Sequence, residues 1–309
     1  MTLQQLRYIV ALDNYRHFAT AAEKCYVAQP TLTLQVKKLE EELGTIIFDR
    51  KKHPLTPTDL GEKILLKARQ ILREAEGLES LVSSDKLQME GHFNVGVIPT
   101  VAPYLMPYFL KEFSEKHPNT HLVIHEMQTK SIIDGLNRNT LDVGILATPL
   151  KEKNIREIPL YQEAFLVYSD TNDPLHRKKA IKYTDIQSNC LLVLTEGHCF
   201  RSQVLQICGE ELGEHKGFTY QVGSIETLKR LVKAGLGFTL VPELSTLHIK
   251  EDQPYLIRFE EPQPTREVSL VVHHSFSKEA LLDALRDCIQ ENLPNVVKKK
   301  KHFVRVKWR

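Results

Sequence analysis

At 309 residues, with 42% hydrophobic content, 14 glycines and 15 prolines, the chain has the composition of a folded protein of two or three domains, which excludes disordered and collagen-like classes. No apolar run is long enough to cross a bilayer, and the opening MTLQQLRYIVALDNYR has an arginine in mid-run and no small-residue cleavage site, so a cytoplasmic protein with no membrane partner is predicted. The formal charge of +2 hides an asymmetry: the last twelve residues, KKKKHFVRVKWR, hold seven Lys or Arg and no acid, which leaves −5 (2 minus 7) on residues 1–297 and excludes a global basic footprint for nucleic acid.

The opening TLQQLRYIVALD places Leu3, Leu6, Ile9, Val10 and Asp13 on one stripe of a helix that Thr2 caps. A short second helix follows in FATAAEKC, where Ala19, Ala21 and Ala22 are small enough for a close helix crossing. AQPTLTLQVKKLEEELG starts a third helix with Pro30 in its first turn, where the missing N–H costs nothing, and ends it at Gly44. Leu32, Val36, Leu39 and Leu43 keep its core period, which leaves Gln29, Pro30, Thr31, Thr33, Gln35, Lys37 and Lys38 on or near the outward surface. A short helix, a tight turn and an amide- and hydroxyl-rich second helix make up a helix-turn-helix, whose second helix enters the major groove of double-stranded operator DNA. TIIFDRKKHPLTPTDLG then reads as a β wing with Arg50, Lys51 and Lys52 at its tip, suited to backbone phosphates. From Leu60 the apolar residues fall at Leu60, Ile64, Ala68, Ile71, Ala75, Leu78 and Val82, a spacing that predicts a dimerisation seam.

Beyond the charged break at Asp85 to Glu90 the pattern changes. HFNVGVIPT, HLVIHEM and LDVGIL read as strands and PYLMPYFLKEFSEKHP as a helix, and the alternation begins again with EAFLVYSD, NCLLVLTE and FTYQVGSIETLKRLVKAGLGFTLVP. This predicts two α/β lobes on mostly parallel sheet, with the ligand cleft between them, and Gly235 and Gly237 in a turn and not in a nucleotide loop. The expected fold class is α/β: an N-terminal winged helix-turn-helix (1–58), a long linker dimerisation helix (59–88), then an effector domain (89–297). That domain divides into lobe I (about 89–161 and 268–297) and lobe II (about 162–267), and a basic tail (298–309) reads as a solvated end, with a supplementary phosphate contact as its second use.

These parts in this order, and FATAAEKCYVAQPTLTLQVKKLEEELGTIIFDR above all, resemble the LysR-type transcriptional regulators over residues 1–295. Within that family GHCFRSQVLQIC (197–208), with Thr100 in GVIPT and Thr129 in EMQT, resembles the peroxide-sensing members. The resemblance implies a two-lobed, periplasmic-binding-protein-like effector domain in a homotetrameric activator, a dimer of dimers. It implies hydrogen peroxide as effector, operator DNA and RNA polymerase as partners, no cofactor, no enzymatic turnover, and Cys199 and Cys208 as peroxide-reacting and resolving thiols. Ser202 departs from the pattern, since these proteins carry an acid there. The tail from Lys298 onward departs from it too.

The five cysteines, at 25, 190, 199, 208 and 288, form neither a disulfide framework nor a CxxC pair, which suits a reducing compartment with transient disulfides. A sensor thiol needs cationic or hydrogen-bonding neighbours, roles open to His198 and Arg201, while Thr100 and Thr129 can orient a bound peroxide. Cys25, Cys190 and Cys288 read as small core residues. If residues 201–208 are helical, Cys208 lies roughly 13 Å along the axis from Cys199, whereas a disulfide needs Cα atoms within about 7 Å, so pairing requires the segment to unwind. The residues leave two other readings open: a LysR-type regulator binding a small metabolite between its lobes, and a thiol peroxidase. Zinc on His198, Cys199 and Cys208 lacks a fourth ligand at any usual spacing, so no metal is expected.

Overall fold

The computed structural model describes residues 1–82, 89–186, 191–209, 221–247, 249–298 and 303–306, which form two compact units. The first unit opens with α1 (Leu3–Tyr15), α2 (Phe18–Lys24) and α3 (Gln29–Leu43). Thr2 caps α1 through a reciprocal box with Gln5, and α3 starts with proline in its first turn and ends at Gly44 in the left-handed region. Leu6, Ile9, Leu12, Ala21, Ala22, Leu32, Val36 and Leu39 close the core. Leu3 and Leu43, expected inside, are exposed, and Ala19 is exposed as well. They sit at helix ends and edges that the three-helix contact does not reach.

The wing is a two-stranded ribbon of β1 (Phe48–Asp49) and β2 (Thr56–Pro57), with Lys51 and Lys52 exposed at its turn. The Glu40 carboxylate, 8% exposed, fixes it to α3 by accepting from the N–H groups of Ile47 and Phe48 at 2.8 and 3.3 Å and from Arg50 at 2.7 Å. Helix α4 (Asp59–Val82) carries two apolar stripes. Leu65, Ala68 and Leu72 are buried against this unit's own core with Ile64 packed beside them, while Leu60, Ile71 and Leu78 face outward. The sequence reading merged these stripes: Ala68 and Ile64 belong to the inner one. Residues 83–88 and the Val82 side chain lie outside what is described.

The second unit starts with β3 (Gly91–Val97), α5 (Ala102–Lys116), β4 (Thr120–Glu126), α6 (Thr129–Asn137), β5 (Val143–Thr148) and β6 (Ile155–Ser169). It continues with α7 (Cys199–Cys208), α8 (Ile225–Lys233), β7 (Phe238–Pro242), β8 (Leu256–Ile257), β9 (Gln263–His273), α9 (Glu279–Asn292), α10 (Asn295–Lys298) and β10 (Phe303–Arg305). The sheet runs β4-β3-β5-β9-β6-β7, with β8 on β6 and β10 on β9. It is mixed where a mostly parallel sheet was expected. β3 runs parallel to β4 and β5, but β9 is antiparallel to both β5 and β6, and β6 is antiparallel to β7. The antiparallel pair β6 and β9, paired from Ile155↔His273 to Ala164↔Thr265 with a register shift between Pro159 and Tyr161, carries the chain between the two lobes, which is why neither strand follows a βαβ crossover.

Two further expectations change. NCLLVLTE is not a continuous strand: Leu191 and Leu194 make isolated bridges to Phe238 and Val222, while Asn189 and Cys190 lie outside the described residues, as do Phe218 to Tyr220 of the FTYQV stretch. The tail is not simply a solvated end, because Phe303–Arg305 add a parallel strand at Gln263–Thr265 and Val306 is buried. Gly235 and Gly237 do form a turn before β7, both at positive φ, a conformation free of steric cost only for glycine. No helix among the described residues is long and apolar enough to cross a membrane.

The inner stripe of α4 makes a stability prediction. Leu65→Ala should lower unfolding free energy by roughly 2 to 5 kcal/mol in urea titration. Lys67→Ala, two residues on at an exposed position, should stay within about 0.5 kcal/mol of wild type.

Candidate functional site

Cys199 is the first residue of α7 and only 5% exposed. It closes a small pocket whose other walls are Ile98, Pro99 and Thr100 after β3, Gln128 and Thr129 at the start of α6, and Gly197 and His198 before α7. The pocket's free space admits no water-sized sphere, so any ligand must be small and must move a side chain to enter. Gly197 is required there: its φ is +90°, and a Cβ would stand 2.4 Å from Gln128 Oε1.

Burial pushes the Cys199 thiol above its ordinary value. A hydrogen bond from Thr129, the charge of Arg266 and the backbone N–H groups of Phe200 and Cys199 itself oppose that shift, in that order. The Thr129 Oγ1 is buried with no partner of ordinary geometry, and the group it favours is the Cys199 sulfur. Burial lowers the His198 pKa and so disfavours its charged form. Arg201, the other cation expected here, donates to the Leu194 carbonyl at 3.0 Å and braces the segment leading into α7.

The charge at the thiol comes from Arg266 in the middle of β9, 1% exposed. Its Nη1 and Nη2 donate to Oγ1 and O of Thr100 at 3.0 and 2.9 Å, and its Nε and Nη2 reach Glu163 Oε1 at 2.9 and 2.8 Å. Its guanidinium lies 5.2 Å from the ring centroid of Phe200, the residue after the thiol. Glu163 is fully buried and also accepts from the Leu244 N–H at 2.9 Å. Thr100 therefore serves as a link between the pocket and this ion pair. Sequence reasoning missed Arg266 and Glu163. The available signal was polar residues, Thr265, Arg266, Glu267 and Ser269, inside a strand that reads as core and must therefore find partners.

Cys208 ends α7, ten residues that hold both thiols at opposite ends of one helix. It is half-buried, and burial pushes its pKa up to about 12. Cys25 is half-buried on the first unit's core and Cys288 is buried in the second.

In the first unit, Gln29, Pro30, Thr31, Lys37 and Lys38 are exposed along α3. Thr33 donates back to the Gln29 carbonyl at 2.9 Å, and Gln35 Oε1 accepts from Gln5 at 3.2 Å. Arg50 is held by Glu40, so Lys51 and Lys52 are the freer wing cations.

Residues 3–62 match the bacterial regulatory helix-turn-helix protein model of the lysR family, and residues 87–294 match the LysR substrate binding domain. A hydrogen peroxide-inducible genes activator from Pectobacterium carotovorum is 33% identical over 294 residues, 95% of this chain and 97% of that protein. A full-length OxyR variant from Pseudomonas aeruginosa superposes with a TM-score of 0.84 at 35% identity, over 96% of this chain and 99% of that one. A hydrogen-peroxide-bound OxyR mutant from Corynebacterium glutamicum matches at TM-score 0.63 and 30% identity, over 96% and 94%.

Because burial holds the thiol above its ordinary range, the thiolate fraction of Cys199 should climb about tenfold per pH unit through pH 8 without reaching a plateau. Thiolate absorbance in a protein retaining Cys199 as its sole cysteine reads this directly. Arg266→Met removes an opposing positive charge and should move the curve to still higher pH.

Proposed function

The chain belongs to the LysR family of bacterial helix-turn-helix regulators, and on that footing we propose that it is a peroxide-sensing transcriptional regulator switched by reversible pairing of Cys199 with Cys208. The observation that carries this reading is the narrow pocket over Cys199, where Thr129, Arg266 and two backbone N–H groups favour the thiolate against burial. Peroxide enters beside Thr100, Thr129 and His198, where the buried Thr129 hydroxyl can turn from the Cys199 sulfur toward it. The Cys199 thiolate attacks one peroxide oxygen, the O–O bond breaks, and the departing hydroxide takes a proton to leave as water, giving a sulfenic acid. Arg266 and the α7 N-terminus favour the thiolate at the moment it is needed.

Resolution needs a larger movement. With both cysteines at the ends of α7, about 13 Å apart along the axis, a bond requiring Cα atoms within about 7 Å cannot form while the helix is intact. The raised pKa of Cys208 acts in the same direction. Freeing it from burial returns the thiol from about 12 toward its ordinary range and so raises its thiolate fraction. Unwound, the Cys208 thiolate attacks the sulfenic sulfur, hydroxide leaves as water, and a dithiol reductant later restores both thiols. The helix is thus the two-state element, and its repacking of lobe II alters the subunit arrangement that spaces the DNA-binding units.

The assembly is a dimer of dimers on a two-fold operator. A second copy covers Leu60, Ile71 and Leu78 of α4, which are 51%, 39% and 68% exposed. DNA is read by Gln29, Pro30, Thr31, Thr33 and Gln35 in the major groove, while Lys37, Lys38, Lys51 and Lys52, with Arg50 held beside them, serve backbone phosphates. RNA polymerase is the downstream partner at activated promoters.

Footprinting on a target operator tests the switch. Near-stoichiometric peroxide should change the protected pattern of wild type and leave that of Cys199→Ser unchanged; a metabolite sensor would give Cys199→Ser a wild-type response. Leu78→Asp should weaken self-association by about tenfold or more in sedimentation, since it places a charge in an apolar seam.

A further inference from the structure

The effector-domain match ends at residue 294, and the basic run from Lys298 follows it. The structure nevertheless seats part of that extension inside lobe II. β10 pairs with β9 at Gln263–Thr265, and the Val306 N–H donates to the Thr265 carbonyl at 2.8 Å. Val306, 9% exposed, joins the apolar cluster that contains Phe200, Val204 and Ile207, the inner face of α7. Gln203, fully buried on that same face, donates its Nε2 to the Val306 carbonyl at 3.4 Å, and its Oε1 has no partner.

We infer that residues 303–306 of the extension are an intramolecular binding partner of α7, with Val306 and Gln203 as positioning residues that hold Cys199 and Cys208 in their separated, reduced arrangement. The physical case is one of linkage. Phe200, Val204 and Ile207, spaced by four and three residues on one face of α7, belong with Val306 to one apolar cluster, Gln203 on that face donates to the Val306 carbonyl, and this face exists only while α7 is helical. An unwound α7 offers neither the apolar row nor the Gln203 donor, so the extension binds the reduced state in preference to the disulfide state. A partner with that preference shifts the equilibrium toward the state it binds. The extension therefore makes the thiols harder to pair, and a chain lacking it forms the disulfide under more reducing conditions. The redox half of this inference rests on the Cys199–Cys208 reading above; the bracing of α7 does not.

The test uses the full chain, a Val306→Asp variant that places a charge in the apolar seat, and a variant ending at Lys298. Backbone hydrogen exchange over residues 200–208 is measured in the reduced proteins, with β3 and β5 as internal reference. The Cys199–Cys208 disulfide is then titrated in glutathione buffers. Exchange in α7 should accelerate about five- to tenfold in both variants with the reference strands unchanged, and the glutathione midpoint should move toward more reducing ratios by a similar factor, an ordinary size for coupling between two sites. Unchanged α7 exchange in both variants overturns the proposal, as does acceleration spread equally over β3 and β5. Accelerated α7 exchange with no disulfide in any of the three proteins supports the brace and overturns the thiol switch instead.

Discussion

The buried ion pair between Arg266 and Glu163 is the constraint on which the second unit's chemistry depends. Two opposite charges, each almost wholly removed from water, are stable only because nearly every polar atom of the pair has a partner: Glu163 takes both guanidinium contacts and the Leu244 N–H, and Arg266 spends its remaining donors on Thr100. Such a pair adds little net stability compared with well-packed apolar residues, but it fixes geometry closely because losing either partner strands the other. Here it ties β6 to β9, holds the Thr100 side of the pocket, and supplies the cation under Phe200. The position of the thiol is inherited from these contacts.

A reactive cysteine is usually pictured as exposed and acidic, and Cys199 is neither. Its burial holds the thiol protonated at rest while Thr129, Arg266 and the α7 N-terminus stand ready to favour the thiolate. For the peroxide sensor proposed above, this arrangement favours a small, neutral, hydrogen-bonding oxidant over larger or charged reagents. Burial also raises the Cys208 thiol, to about 12, and the helix keeps it at the far end from Cys199. In the switch proposed above, chemistry and conformational change are coupled because both thiols belong to one helix.

Much of this was legible in the residues. Pro30 and Gly44 bounded the recognition helix because each has a local backbone reason to stand where it does, and Val204, Leu205 and Ile207 allowed a helix over 201–208 that ends at Cys208. What escaped was non-local. Arg266 lies 67 residues beyond Cys199 in the chain, and no spacing argument connects them; only the pairing of β9 with β6 and β5 brings its side chain under the pocket. The sense of the sheet escaped for the same reason, because strand periodicity reports burial and not direction. On α4 a single seam was read where two stripes exist, since core packing and self-association both ask for apolar residues at helical spacing. The tail was judged by its charge, and the short apolar stretch Phe303 to Val306 inside it carried the structural information.

The most direct test of the account is mass spectrometry of tryptic peptides after brief exposure to near-stoichiometric hydrogen peroxide, on wild type and on Cys208→Ser. The account predicts a Cys199–Cys208 crosslink in the wild type and a trapped sulfenic acid at Cys199 in the variant. Both thiols remaining reduced in the wild type would contradict it.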